Sequence, residues 1–365
     1  MAVALGGCGG GGGGGGTGSA NGGATALPLR LVYASTYQSA SGATSAGGIY
    51  AFRFDPNTSR LVTVSDTPFG PETAGAPLAI SRGGKFLYSI QYLTNQAALA
   101  GFAIQPDGFL ASIPGMPFDT GEPIMGLALH PTADFLYAVA MSGALEVYSI
   151  DASTGALARR STFAAPAAGS ALITPDGRFL YEMTANGIYE FSIDATTGAL
   201  TQLSASPVAY HVVPGPGAIH PSGKFLYVAN ADPSVTTNAQ LAAWSIDRET
   251  GELAAISLSP SAVTAGPQQS VTIDGSGQLA MVTTPSSGGD GCFYELIIDP
   301  ATGGLSSTPG VGTECGPLAA DASYNFLYDG SSGVSVYLLN QQGAPLFVAA
   351  ALLLGLRVTN IAAVH

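Results

Sequence analysis

Few side chains in this 365-residue chain have chemistry near neutral pH: it holds four histidines, three cysteines, 24 Asp and Glu, and 11 Lys and Arg. Base-assisted attack of water on a carbonyl needs a general base and a cation or donor set for the developing oxyanion. His211, in PVAYHVVPG, is the candidate base, because imidazole titrates near neutrality. Arg357 is the candidate cation, and Glu122 and Glu72 are carboxylates that could orient the histidine. Asp119, Asp232, Asp290 and Glu314 lie in the same kind of connecting segment. His130 and His220 instead precede prolines in tight turns and read as turn or packing residues. Asp151, Asp194, Asp247 and Asp299 open hairpins, where a carboxylate accepts from backbone amides. No GxSxG, HExxH, paired CxxC or phosphate-loop pattern is present, so no cofactor and no metal is expected. A divalent ion at Asp232, Asn238 and Asp290 is the lesser alternative.

The elements that must position these residues recur. Residues 219–253, IHPSGKFLYVANADPSVTTNAQLAAWSIDRETGEL, read as strand, tight turn, strand, loop, strand and hairpin. Apolar residues alternate through FLYVA and LAAWSI, as half-buried strands require. The second strand carries Tyr33, Tyr88, Tyr137, Tyr181, Tyr227, Met281 and Tyr328, at intervals of 55, 49, 44, 46, 54 and 47 residues. Such spacing is that of propeller blades. Third strands with their hairpins, from IYAFRFDPNTSRL to VSVYLLNQQGAPL, count independently to seven. The expectation is an all-β seven-bladed propeller of four-stranded antiparallel blades, because radial packing buries both faces of each small sheet. The first blade lacks an innermost strand, and VTNIAAVH (358–365) matches that pattern. It is expected to complete the N-terminal blade and latch the ring. In that arrangement the loops between strands two and three and those between blades gather at one face around the channel, with His211 and its companions; the HPSGK and DATTG turns lie at the other.

Charged residues are 10 % of the chain against about 25 % in an average domain. A formal charge of −13 without a basic patch argues against nucleic acid. A polar, Lys-poor surface suits the cell envelope. At the N-terminus, MAVALGGC is too short for a signal peptide. Leu5-Gly6-Gly7-Cys8 resembles a bacterial lipobox, and Gly9–Gly16 the tether that follows one. Residues 1–8 are therefore expected to be a truncated lipoprotein signal lipidated at Cys8, with 9–28 a disordered tether and 29–365 the propeller. Membrane association is expected only through that anchor, on an otherwise monomeric protein. LFVAAALLLGL (346–356) is too short to span a bilayer and reads as the outer strand of the last blade with its connector, or as a small apolar patch. Cys292 and Cys315 emerge at one end of blade six, either as a disulfide suited to an oxidising compartment or as two thiols.

The phrases HPSGKFLYVAN and SID..TG.L resemble the lactonase-type seven-bladed propellers, a family with YVTN-like repeats that includes bacterial 6-phosphogluconolactonase and fungal carboxymuconate cyclase. The resemblance covers 29–365 and implies the propeller fold and lactone hydrolysis. Where the family carries Gly-Pro-Arg-His before its HPDG turn, this chain has Pro214-Gly215-Pro216-Gly217-Ala218-Ile219, and Gly266-Pro267 is followed by Gln268-Gln269. Asn230 stands at the Asn of the family's Asn-Glu pair, with Ala231 after it. Two functions follow: an envelope-tethered hydrolase of a sugar lactone or related ester, using His211 and Arg357, or a noncatalytic propeller binding a small ligand, glycan or protein at the channel face.

Overall fold

The computed structural model describes residues 29–38, 47–65, 67–70, 77–93, 96–165, 168–209, 214–230, 241–257, 270–283, 293–312, 316–321, 326–330, 333–339, 346–352 and 356–364. Their strands form seven antiparallel sheets, each with four strands in the order inner to outer. Blade four shows the plan: Gly169–Ile173 innermost, then Phe179–Thr184, Gly187–Ile193 and Leu200–Gln202. Blade two adds a short fifth strand, Phe118–Asp119, on its third strand. Each innermost strand contacts those of both neighbouring blades, so the seven line a central channel.

The ring closes as the sequence implies. Leu356–Ala363 pairs antiparallel with Arg30–Gln38 as the innermost strand of the first blade. It also reaches blade two, where Asn360 Oδ1 accepts the Leu78 N–H at 3.3 Å. Leu346–Leu352 is the outer strand of blade seven, with Phe347 exposed. Among the described residues, no helix is long and apolar enough to cross a membrane.

Burial follows the radial packing and goes beyond the half-burial that the alternation alone suggests. The second strands are covered on both faces: Phe179–Thr184 and Phe225–Ala229 are buried at every position. Radial packing supplies the second cover, since each sheet is sandwiched between two others. Only the outer strands meet water broadly, as in Leu157–Ala164. The apolar core is accordingly split into seven clusters, each drawn from two adjacent blades.

The tyrosine series has a job in these seams. Tyr33, Tyr88, Tyr137, Tyr181 and Tyr227 each donate a buried hydrogen bond of 2.7–3.0 Å to a hairpin glycine carbonyl of the next blade, at Gly108, Gly155, Gly198, Gly251 and Gly303. Burial raises each phenol's pKa above its ordinary value. The glycine is required twice over. Gly251 has φ +80°, and a Cβ there would come within 2.3 Å of the Phe179 ring that begins the clamping strand. Asp247 sets up the same hairpin by accepting the Glu249 and Thr250 amides, which lower its pKa.

Candidate functional site

Antiparallel order sends the first-to-second-strand turns and the third-to-fourth hairpins to one face of the ring, and the second-to-third loops and blade connectors to the other. On the turn face the channel widens to a cavity of about 440 Å³, lined by Ile80, Leu129, Ala319 and Ala362 with Arg82 and His130 at its edge. His130 and His220 are structural there. His130 Nδ1 accepts the Ala133 amide at 2.9 Å, and burial lowers its pKa. His220 Nδ1 accepts the Ser222 amide, so its Nε2–H donates to the Gly277 carbonyl of the next blade at 2.8 Å.

On the channel face, Glu122 is the expected site residue whose side chain is described. It ends the connector from blade two, and its two oxygens accept from the Ser142 hydroxyl (2.9 Å) and amide (3.1 Å) in the second-to-third turn of blade three. The same connector is braced by Asp119 accepting the Gly121 amide and by Thr120 donating to the Glu122 carbonyl. The carboxylate is thus held where both kinds of channel-face segment meet. Arg357 lies in the closing strand with its backbone opposite Tyr37, and its side chain is outside the description. His211, Glu72, Asp232, Asn238, Asp290 and Glu314 lie outside the described residues, as do Cys8, Cys292 and Cys315. Their convergence is therefore not part of the described geometry.

Buried polar groups near this face were not singled out by sequence reasoning. Asp329 Oδ1 accepts the Gly316 amide at 3.2 Å, and the Thr283 hydroxyl donates to the Gly316 carbonyl at 2.9 Å. Glu182 differs: fully buried, it has no hydrogen-bond partner on either oxygen among the described residues, and burial pushes its pKa up to about 8. Tyr181 faces blade five, so the next residue, Glu182, faces blade three, on the same side of its sheet as its cross-strand partner Tyr189. A signal was present in FLYEMT, since four of the six equivalent positions are apolar, Ala34, Ala138, Val228 and Val282, with Ser89 and Asp329 at the other two. Among the described residues, no group of three or more His, Cys, Asp or Glu is arranged to hold a metal ion.

Seven four-stranded blades, a closing C-terminal strand and connectors gathered at one channel mouth define a seven-bladed propeller with its candidate site at that mouth. The model of the lactonase seven-bladed β-propeller family matches residues 31–181 and 180–290, and the chain belongs to that family. A 6-phosphogluconolactonase of Pectobacterium carotovorum is 30 % identical over 138 residues, a match spanning 35 % of this chain and 40 % of the relative. A crystal structure of a putative 6-phosphogluconolactonase from Bacteroides fragilis superposes with a TM-score of 0.70 at 19 % identity, covering 92 % of this chain and 98 % of that one. The Pseudomonas aeruginosa periplasmic gluconolactonase also gives 0.70, at 16 % identity, over 93 % and 99 %. At these identities the two structures are alike in fold.

Proposed function

We propose that the chain is an envelope-tethered hydrolase that opens a sugar lactone or related ester at the channel face. The family match over residues 31–290 carries the reading. The Pectobacterium relative is named for a lactonase activity, and the Pseudomonas protein of the same fold is named as periplasmic. The lipobox-like Leu5-Gly6-Gly7-Cys8 and its glycine run support tethering through Cys8.

The chemistry follows from the residue types. His211 takes a proton from water, whose oxygen attacks the lactone carbonyl carbon. Arg357 offsets the charge on the resulting oxyanion. Collapse breaks the bond to the ring oxygen, which takes the proton back from His211 and leaves a free hydroxy acid. Glu122 and Glu72 orient the histidine or bind substrate hydroxyls. Cys292 and Cys315 form a disulfide in the oxidising compartment this implies. The protein acts as a monomer, on small molecules and not on nucleic acid.

The test is proton release from a panel of sugar and simple lactones, comparing the protein with its His211→Ala variant. Turnover that disappears in the variant is expected. A binding-only propeller is the second reading, favoured by the amides Gln268-Gln269 and by Ala231, which stand where the family has Arg-His and Glu. Absence of turnover across the panel would select it, with glycans and envelope proteins as the ligands to try next.

A further inference from the structure

The cavity at the turn face has no part in lactone hydrolysis at the channel face, and its walls and rim are made of described residues. Its origin is visible strand by strand. On each innermost strand, one residue pairs across to the position just before the tyrosine-type residue of the second strand. In blades two to six that residue is Ile80, Leu129, Ile173, Ile219 and Ile273. In blade seven it is Ala320 and in blade one Ala363, and the residues before them, Ala319 and Ala362, are alanines too. Two adjacent blades therefore lack the branched side chain that the other five carry at this level, and the cavity of about 440 Å³ lies against all four alanines. Small-molecule sites have such volumes. Ile80 and Leu129 continue the wall on one side and Thr272 on the other. The rim is charged at one point. Arg82 follows the innermost strand of blade two, in the turn Ser81-Arg82-Gly83-Gly84, where blades three and five have His-Pro. Its guanidinium stands 3.9 Å from Asp134, with the two side chains 56 % and 44 % exposed, an ion pair too long and too solvated to be strong. His130 beside it is already committed, its Nδ1 accepting the Ala133 amide. Among the described lining residues there is no carboxylate.

We propose that the turn-face cavity is a second binding site, for a small amphiphile with an aliphatic body and one carboxylate head. The body lies against Ala319, Ala320, Ala362 and Ala363, where burial of apolar surface supplies the affinity. The head pairs with Arg82, whose planar guanidinium matches a carboxylate in a fork of two N–H donors. A cationic head meets the same guanidinium and is rejected. This site is independent of the hydrolase reading, since none of its residues stands at the channel face.

Binding of octanoate to the full chain, followed by ligand-observed NMR at low salt and below the micellar range, tests this. Saturable binding is expected. Ala320→Leu gives blade seven the kind of side chain that blades two to six carry, and it should weaken octanoate by roughly tenfold or more by filling the space. If that variant lowers the melting temperature, Ala362→Val fills the same cavity from blade one and decides in its place. Arg82→Gln should weaken octanoate by about fivefold, as expected of a charge at a solvated rim, and leave 1-octanol unaffected. Octylammonium should bind at least roughly tenfold more weakly than octanoate. Absence of saturable octanoate binding, or an unchanged affinity in the filled variant, overturns the site. Octylammonium bound as well as octanoate, or octanoate affinity unchanged in Arg82→Gln, overturns the carboxylate head. Lactone turnover by the same proteins is measured alongside, and its presence or absence bears on the hydrolase reading alone.

Discussion

The seams of this ring are not all made alike. Five of them, from blade one round to blade six, share one device: a tyrosine hydroxyl that crosses to the next blade's hairpin glycine. The two seams flanking blade seven lack it. Between blades six and seven the clamping position is Met281, and the described apolar cluster is Met281 with Leu318, Leu327, Tyr337 and Leu339. Between blades seven and one, Tyr328 keeps its hydroxyl but has no partner for it among the described residues, and the facing hairpin carries Ser59 at φ +54° where the hairpins of blades two to six have glycine. That seam is joined by the buried Arg30–Asp321 pair and by Phe54 packed edge-on against Phe326 and Tyr328. The closing strand adds Val358, Ile361 and Ala363 to the same cluster. A repeated seam can rely on one small directional bond per blade; the closing seam must hold two chain ends, and it does so with area, charge and a shared strand.

The largest effect should come from that shared strand. Removing residues 358–365 strips the innermost strand from blade one, its Val364-to-Leu31 bond and its contact with blade two. A fall in melting temperature of more than about 10 °C, or failure to accumulate soluble protein, is expected, since the loss exceeds the few kcal/mol that separate folded from unfolded domains. An unchanged melting temperature would refute the latch. Next in size, Asp321→Ala leaves Arg30 buried without its carboxylate, at a cost of about 3–5 kcal/mol in chemical denaturation. Arg30→Met combined with Asp321→Leu should cost less than either single change, because the desolvated charges go together; strict additivity would show that the pair is not what joins the seam.

How far the sequence revealed this differs from element to element. The seven tyrosine-type positions and the turn phrases disclosed the blades, their order and the closing strand, because strand period and turn chemistry are local. What the tyrosines bond to was hidden, since the acceptor lies 61–76 residues away in another blade. Burial of both strand faces followed from the sevenfold repeat and not from the strand pattern: the alternation in FLYVA is one of size and shape, not of polarity, and its second cover comes from a neighbouring sheet. At the site, a clean period identified the connectors but not their side-chain directions. Glu122 could be assigned to the channel face, yet its pairing with Ser142 depends on two loops meeting in space. His211 and Glu72 remain beyond the described residues.

The clamped seam between blades three and four offers a pH test of its margin. Burial pushes the Glu182 carboxyl up to about 8, far above the ordinary value of about 4.3. Between those pH values the folded protein holds a proton that the unfolded chain has released, so Glu182 makes stability fall as pH rises from about 4 to about 8. Glu182→Gln should flatten that slope and add on the order of 4 kcal/mol at pH 8, with little change at pH 4. Parallel urea-denaturation profiles for the two proteins across this range would mean that water or a partner group reaches the carboxylate.

The smallest effects separate the two kinds of seam most sharply. Tyr137→Phe removes a 2.9 Å bond and leaves the Gly198 carbonyl buried with one acceptor unmet, so it should cost about 1 kcal/mol. Tyr328→Phe removes a hydroxyl that is buried without a partner among the described residues, and the ring that packs on Phe54 is retained. Deleting an unsatisfied buried group relieves its desolvation penalty, so this variant should be neutral or more stable by up to about 2 kcal/mol. The opposite signs, read from the same denaturation experiment, are the comparison reduced to two oxygen atoms. If both variants lose stability equally, Tyr328 finds an acceptor in solution and the closing seam is clamped like the others. If neither changes, the hydroxyls are incidental, and the tyrosines persist in the repeat because their rings fill the gap between blades.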